Sequence, residues 1–380
     1  MKRSTERILT THAGSLPRPP ELRQILLAYE AGEPVDETEL DRLTAEAVAE
    51  VVRRQKEAGV DLISDGEMSK TGFVRYVTGR LSGFGGRSAT PQFADIADFP
   101  EFAGWRASEP GRAQVNPACE GPIELRDRAA IERDVAHLKG ALDGKNPDEC
   151  FVPAASPGVI AMNLDNHYYP SQEAYLQAVA EAMRHEYRAL TDAGFVVQLD
   201  CPDLAMGRHR HFKDRPLADF VANAEQSLEA LNHAVEGIPA GQLRLHLCWG
   251  NYEGPHTHDV ALADMLPAVL KAKVEGLVIE AANPRHEHEW RVWEDVRLPD
   301  DKVLIPGVID STTNFVEHPR LVADRIVRFA KLVGRERVIA GVDCGFGTAA
   351  ARGNVAGDVV WAKLATLAEG ARLATEELWG

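Results

Sequence analysis

The stretch Leu243-Arg244-Leu245-His246-Leu247-Cys248 decides how the chain is read. It has the length of a strand, and residues two apart on a strand share a face, so His246 and Cys248 project the same way. An amphipathic helix is expected next, over about Asp259 to Ala272. A second short run follows, Gly276 to Ile279, ending in Glu280. Strand, helix and strand in this order make a right-handed βαβ unit with parallel strands.

The same unit repeats on both sides. Ile8-Leu9-Thr10-Thr11 ends at His12-Ala13-Gly14-Ser15, and a helix opens at Asp36 with Glu39 as a capping signature. Leu40, Leu43, Ala47, Val48 and Val51 recur at helical spacing, and Gly59 stands at the C′ position. Val60 to Ser64 is the second run, ending at Asp65-Gly66-Glu67. Cys150 to Ala155 is the third, ending at Ser156, and Phe195 to Leu199 the fourth, ending at Asp200. Downstream, Val303 to Ile309 ends at Asp310, and Arg337 to Val342 ends at Asp343-Cys344. Helices are expected near Ile131 to Leu142, from Ser171, and over about Leu217–Val235, 286–296, Pro319–Val333 and Asp358–Ala374.

Eight such strands, each followed by a helix, predict an α/β protein with the (β/α)8 TIM barrel architecture, as a single domain over 1–380. No Gly-x-Gly-x-x-Gly turn follows the first strand, which argues against a doubly wound open sheet. The rhythm breaks in a Gly- and Pro-rich stretch after the second strand. There the run Gly121 to Arg126 suggests an inserted loop or hairpin region at about 80–128.

Composition narrows the function classes. The 380 residues carry 42 basic and 58 acidic side chains, a net charge of −16. That balance argues against a nucleic-acid partner, which needs a basic footprint. No apolar run approaches the roughly 18 residues of a membrane span, and no apolar leader follows the charged start Met1 to Arg7. Five cysteines, an odd number, are too few to staple the chain and point to a reducing compartment, the cytoplasm. The expected partners are small molecules, with a homo-oligomer left open.

In a parallel barrel the site forms at the C-terminal ends of the strands. The residues expected there are Ser15, Glu67, Ser156, Asp200, His246, Cys248, Glu280, Asp310 and Cys344. A lone strand Cys is ordinarily a small buried apolar residue. His246, Cys248, Glu280 and Cys344 together are a set of borderline-soft ligands suited to tetrahedral Zn2+. Two thiolates and a carboxylate outnumber the charge of the ion by one. Such a site is a weak Lewis acid for hydrolysis and a better place to keep an incoming thiol as a nucleophilic thiolate. Glu67 and Asp200 are the expected carboxylates for an ammonium group, and Gly14 and Ser15 offer an N–H and a hydroxyl to a carboxylate. Glu67 and Asp310 are the candidate catalytic carboxylates. Trp249 and Tyr252 are candidates for an aromatic wall. The pairs His209/His211, His256/His258 and His286/His288 read as solvated loop histidines.

At these residues the sequence resembles the catalytic C-terminal barrel of cobalamin-independent methionine synthase. The matching segments are Thr10 to Ser15, Asp65-Gly66-Glu67, Leu199-Asp200, His246-Leu247-Cys248, Ile279-Glu280 and Asp343-Cys344-Gly345. The resemblance implies a methyltransferase in which His246, Cys248, Glu280 and Cys344 bind zinc and Ser15, Glu67 and Asp200 hold homocysteine. The chain departs from the family at Cys201, where Asp-Glu-Pro reads Asp200-Cys201-Pro202. It departs again at Thr312, where the family has a histidine thought to donate a proton. It lacks the second, N-terminal barrel of the long synthases and is similar to the short, stand-alone members.

The leading expectation is a zinc-dependent thiol methyl- or alkyltransferase acting on homocysteine or a similar thiol. An alternative is the related epoxyalkane:coenzyme M transferase chemistry, whose sulfonate would want Arg18, Lys70 or Arg75 near the mouth. A further alternative of a different class is a non-catalytic barrel with a structural zinc.

Overall fold

The computed structural model describes residues 1–89, 93–107, 115–142, 146, 149–348, 350 and 353–380. Two parts of the expected 80–128 insertion, residues 90–92 and 108–114, lie outside the described residues. In chain order the strands are β1 (Leu9–Thr10), β2 (Phe84–Gly85), β3 (Ala118–Cys119), β4 (Phe151–Ala155), β5 (Val196–Asp200), β6 (Leu243–Leu247), β7 (Gly276–Ile279), β8 (Val303–Pro306) and β9 (Ile339–Ala340).

Five of them, β4 to β8, form a parallel sheet in sequential order. Every residue of these five is buried, which explains their apolar sequences: helices cover the faces of a parallel sheet. β1 pairs in parallel with β9. Bridges at Leu304–Val338 and Gly307–Gly341 join β9 to the β8 side, and Ile63 bridges Cys150 just before β4. The N–H groups of Asp61 and Leu62 donate to Thr10 O. The contacts thus run from segment to segment and return to β1.

The expected second strand, Val60 to Ser64, is reduced to the single bridge at Ile63. Asp61 turns its carboxylate back to accept from the Thr10 N–H at 2.9 Å and from Arg7 at 2.7 and 2.8 Å. Side-chain bonding replaces ladder pairing there. Residues 81–85 and 118–125 pair antiparallel, through β2 with β3 and the Leu81–Leu125 bridge. The helix Glu37–Glu57 begins as expected at Asp36, whose Oδ1 accepts from the Thr38 and Glu39 N–H groups. The Glu39 carboxylate is drawn to Arg42 instead of back to the cap. Unanticipated helices among the described residues are Val77–Arg80, Ala94–Ala97, Pro100–Ala107 and Gly207–Arg210, together with the pair Pro20–Glu30 and Pro157–Asn163. Both start on proline, which is favourable at a first helical position, and the second is capped by Ser156.

Parallel register places Gln198 beside Arg244 and Asp200 beside His246. Since residues two apart share a face, the two pairs form stacked layers on one side of the sheet. Arg244 is fully buried. It donates to Gln198 Oε1 at 2.7 and 2.9 Å, to Thr11 Oγ1 at 3.0 Å and to His12 O at 2.8 Å, and lies 3.4 Å over the Phe151 ring. Arg244→Met keeps the length but strands these acceptors without donors, each worth about 1–3 kcal/mol. We expect a loss of about 3 kcal/mol, read as a lower urea midpoint with unchanged slope.

Candidate metal and substrate site

The site is assembled from the C-terminal edge of the sheet. His246 is the penultimate residue of β6, Cys248 directly follows the strand, and Cys344 follows β9. Their ligand atoms all lie within 4.8 Å of one another, and all three residues are buried. The two sulfurs are 3.6 Å apart. The hydrogen bond with the neighbouring sulfur, and then burial, push the Cys248 thiol well up, whereas the Cys248 S–H and His246 together pull the Cys344 thiol down. The pair therefore gives up a first proton readily and holds the second.

His246 Nδ1 is 3.0 Å from Asp200 Oδ1. A carboxylate there makes Nδ1 the protonated nitrogen and leaves Nε2, near the Cys344 turn, as a lone-pair donor. Asp200 is itself held by Gln198 Nε2 at 2.8 Å, and that same nitrogen donates to Ala13 O. One imidazole with a carboxylate behind it and two close thiols suit a borderline-soft divalent ion. On this test the residues fit such a metal.

Glu280 is not part of the converged trio. Its Oε1 accepts from the Trp249 N–H at 2.9 Å, and its Oε2 takes Asn283 at 2.8 Å and Arg285 at 2.6 Å. Asp310 is also committed: Oδ1 accepts from Thr312 and Oδ2 from Thr313, through backbone and hydroxyl in each case. This closes the loop after β8 as an Asx-type cap.

Beside the trio lies a cavity of about 270 Å3, walled in part by Ser15, Glu67, Asp200, His246, Cys248 and Cys344. Glu67 has a left-handed backbone, φ 58°, directly after Gly66 at φ 65°. A non-glycine residue there is strained and is held by its surroundings. Here Asp65 accepts the Glu67 N–H at 3.0 Å and Arg18 donates to the Glu67 carbonyl at 2.9 Å. Glu67 Oε2 is buried without a hydrogen-bond partner. Burial first, and then repulsion from Asp200, raise the Glu67 carboxyl to about 8 despite Lys70 and Arg18.

Gly14 is required by close approach. At φ 121° a Cβ would fall 2.4 Å from Pro153 Cγ and 2.8 Å from Glu67 Oε1. Its N–H is spent on His12 Nδ1 at 3.2 Å, and His12 Nε2 meets Gln55 at 2.7 Å, so His12 is a buried strut for this turn. The Ser15 hydroxyl accepts from Gly347 N at 3.2 Å. Tyr252 lines the cavity, whereas Trp249 is fully buried, its indole N–H donating to Val260 O.

Sequence reasoning missed a buried network behind this wall. His209, His256 and His286, expected in solvated loops, are buried and converge on Asp259. His256 Nδ1 and His286 Nε2 lie 3.0 and 3.1 Å from Asp259 Oδ2, and His209 Nδ1 lies 3.5 Å from Oδ1. Burial alone would raise the Asp259 carboxyl, but the two histidine hydrogen bonds hold it well below its usual range. Asp95 accepts from the Tyr252 hydroxyl and the His256 N–H. The recurring His-x-His spacing was the available signal, and the burying contacts come from far away in sequence.

The structure is thus an α/β protein whose parallel sheet gathers an imidazole and two thiols at its C-terminal edge, a soft-ligand set that could hold a metal, against a small cavity with two carboxylates. Residues 8–93 and 164–360 match the family described as the cobalamin-independent synthase catalytic domain, and the chain belongs to that family. It is 26% identical to a methionine synthase of Thermococcus kodakarensis, with 97% of this chain and 94% of the relative covered. It is 25% identical to one of Sulfolobus acidocaldarius, over 88% and 85%. Its fold matches a B12-independent methionine synthase from Shewanella sp. W3-18-1, solved in complex with selenomethionine. The TM-score is 0.73 at 21% identity, covering 98% and 99% of the two chains. Among the described residues no helix is long and apolar enough to cross a membrane.

Two outcomes follow from the geometry. Asp200→Asn weakens the orienting bond to His246 and should lower the affinity of the trio for a divalent metal about 10–100-fold, read by competition with a chromophoric chelator. Because Glu67 is raised above its unfolded value near 4.5 to about 8, the folded state binds the extra proton across that window. Stability should therefore fall as pH rises from about 5 to 8. Glu67→Gln should flatten that slope in urea titrations at the two pH values, and a slope identical to wild type would show that Glu67 is ionised throughout.

Proposed function

We propose that the protein is a zinc-dependent S-methyltransferase that acts on homocysteine or a closely similar amino-acid thiol in the cytoplasm. In this reading the strands close into a (β/α)8 TIM barrel that forms a single domain over 1–380, with about 80–128 inserted. The observation that carries the reading is the convergence of His246, Cys248 and Cys344 within 4.8 Å, on the wall of the cavity that holds Glu67 and Asp200. Relatives of similar length named methionine synthase support it.

His246, Cys248 and Cys344 would hold the ion, with Glu280 as the candidate fourth ligand. Zn2+ there would supply a lowered thiol pKa, so that the substrate sulfur is a thiolate at neutral pH. The rest is done by the chain. Glu67 Oε2, buried and unpartnered, takes the substrate ammonium together with the Asp200 carboxylate. The Ser15 turn faces the substrate carboxylate, with Gly14 giving the room that turn needs. An ammonium arriving at a protonated Glu67 displaces its proton, so binding releases that proton as well as the thiol proton. Asp310, with both oxygens on Thr312 and Thr313, enters as the cap that shapes the loop over the site.

The three cations expected to serve the coenzyme M alternative are committed elsewhere. Arg18 donates to the carbonyls of Glu67, Lys70 and Gly347, Lys70 donates to Pro153 O, and Arg75 pairs with Glu30. Zinc-edge absorption should gain a sulfur ligand with L-homocysteine and none with coenzyme M; the reverse would select the alternative. Cys248→Ser and Cys344→Ser should each lose bound zinc and at least 100-fold in activity. A chelator should abolish activity before the circular dichroism changes, whereas simultaneous loss would mark a structural zinc.

A further inference from the structure

The cavity is electrically divided. Its inner end carries the Glu67 and Asp200 carboxylates and the two thiols. Arg210 is the only arginine or lysine among the described residues lining it. Arg210 closes the short helix Gly207–Arg210, ten residues beyond the strand-end Asp200. Its Nη1 donates to Asn163 Oδ1 at 3.0 Å, and its guanidinium lies 5.3 Å over the Phe93 ring. Its Nε is buried with no hydrogen-bond partner, and no carboxylate of the described residues pairs with it within 4.0 Å. Burial pulls the group down to about 10, with Asp165 and Tyr252 working the other way, so it remains a cation at neutral pH.

A largely buried guanidinium with no directly paired carboxylate among the described residues is costly unless a ligand supplies one. Its planar fork suits a carboxylate or another planar oxyanion, and a stacked arginine is already oriented for one. Beside it, Phe93 and Tyr252 meet edge to face at 5.4 Å, and Arg106 lies 4.3 Å over the Tyr252 ring. This end of the cavity therefore offers an aromatic wall with a cation at its margin, a surface for a flat ring bearing an oxyanion.

We propose that Arg210 selects the alkyl donor by pairing with an oxyanion, of the carboxylate class, attached to a planar ring. The proposal rests on the thiol-alkylation reading in one respect: the thiol substrate already has partners for its three polar groups at the strand ends. Its sulfur, ammonium and carboxylate are matched by the trio, by Glu67 with Asp200, and by Ser15. That leaves Arg210 to the second substrate.

The test uses the zinc-loaded full chain, with benzoate as the probe and benzamide as its neutral isostere, titrated calorimetrically with and without L-homocysteine. Wild type should bind benzoate at least tenfold more tightly than benzamide. Arg210→Gln should remove that preference, while L-homocysteine binding stays within about twofold. Arg210→Lys should retain part of it, and it replaces the Gln variant if that variant melts early. Equal binding of the two probes by wild type, or full benzoate affinity in Arg210→Gln, would overturn the proposal. Loss of L-homocysteine binding in step with benzoate would also overturn it, by assigning Arg210 to the thiol substrate. If wild type binds no L-homocysteine, the thiol reading fails, and the comparison of benzoate with benzamide still decides the role of Arg210.

Discussion

The buried guanidinium of Arg244 is the contact on which the site depends. Among the described residues it has no carboxylate within salt-bridge distance, and its N–H groups go to neutral acceptors, which come from Gln198, Thr11 and His12. One side chain thereby links β6 to β5 and to the end of β1. Gln198, with its carbonyl oxygen taken by Arg244, has its amide turned to Ala13 O and Asp200 Oδ1. Asp200 is then fixed against His246 Nδ1. A polar chain two layers deep, set by the register of two neighbouring strands, decides which imidazole nitrogen faces the thiols. Low local dielectric makes each of these bonds stronger, and makes each costly to leave unmade.

The order of strands and helices was legible because β4 to β8 are buried on both faces and have to be apolar. The chemistry at their ends was legible for the complementary reason: a polar residue closing an apolar run is conspicuous. His246 and Cys248 were readable as neighbours from spacing alone, since two residues along a strand return to one face. Their proximity to Cys344, 96 residues from Cys248, needed the strand-end argument. What escaped was decided by side chains that act on the backbone or across long separations. Asp61 dissolves most of the second strand by bonding to Thr10 and Arg7. The histidines around Asp259 look solvated in sequence, because nothing local reveals that Asp95, 161 residues from His256, folds over them. Asp310 looks like an acid at a strand end until Thr312 and Thr313 take both of its oxygens.

Glu280 shows how the two networks meet. Its carboxylate lies at the end of β7, where a ligand is expected, yet Oε2 is shared between Asn283 and Arg285. Arg285 in turn reaches to 3.8 Å from Asp259 Oδ2, the centre of the histidine cluster. Asp343, one residue before Cys344, accepts from the N–H groups of Ala281, Ala282 and Asn283. The loop carrying Glu280 and the turn carrying Cys344 are therefore one rigid piece. Rigidity of this kind fixes the mutual distance of the side chains it carries.

The division of charge in the cavity follows from the same construction. Strand ends are rigid and crowded, and they carry the groups that must be buried: the thiols, Glu67 with its unpartnered oxygen, and Asp200. The nearby cations Arg18 and Lys70 do not pair with these carboxylates by hydrogen bond and are turned onto backbone carbonyls. Positive charge enters from outside the strand ends, on the short helix that ends in Arg210 and the helix that carries Arg106. The protein as a whole carries a net charge of −16, so a cationic margin around an acidic pocket is a local feature and owes nothing to bulk composition. In the proposed reaction the two substrates would therefore meet opposite charges at the two ends of the cavity.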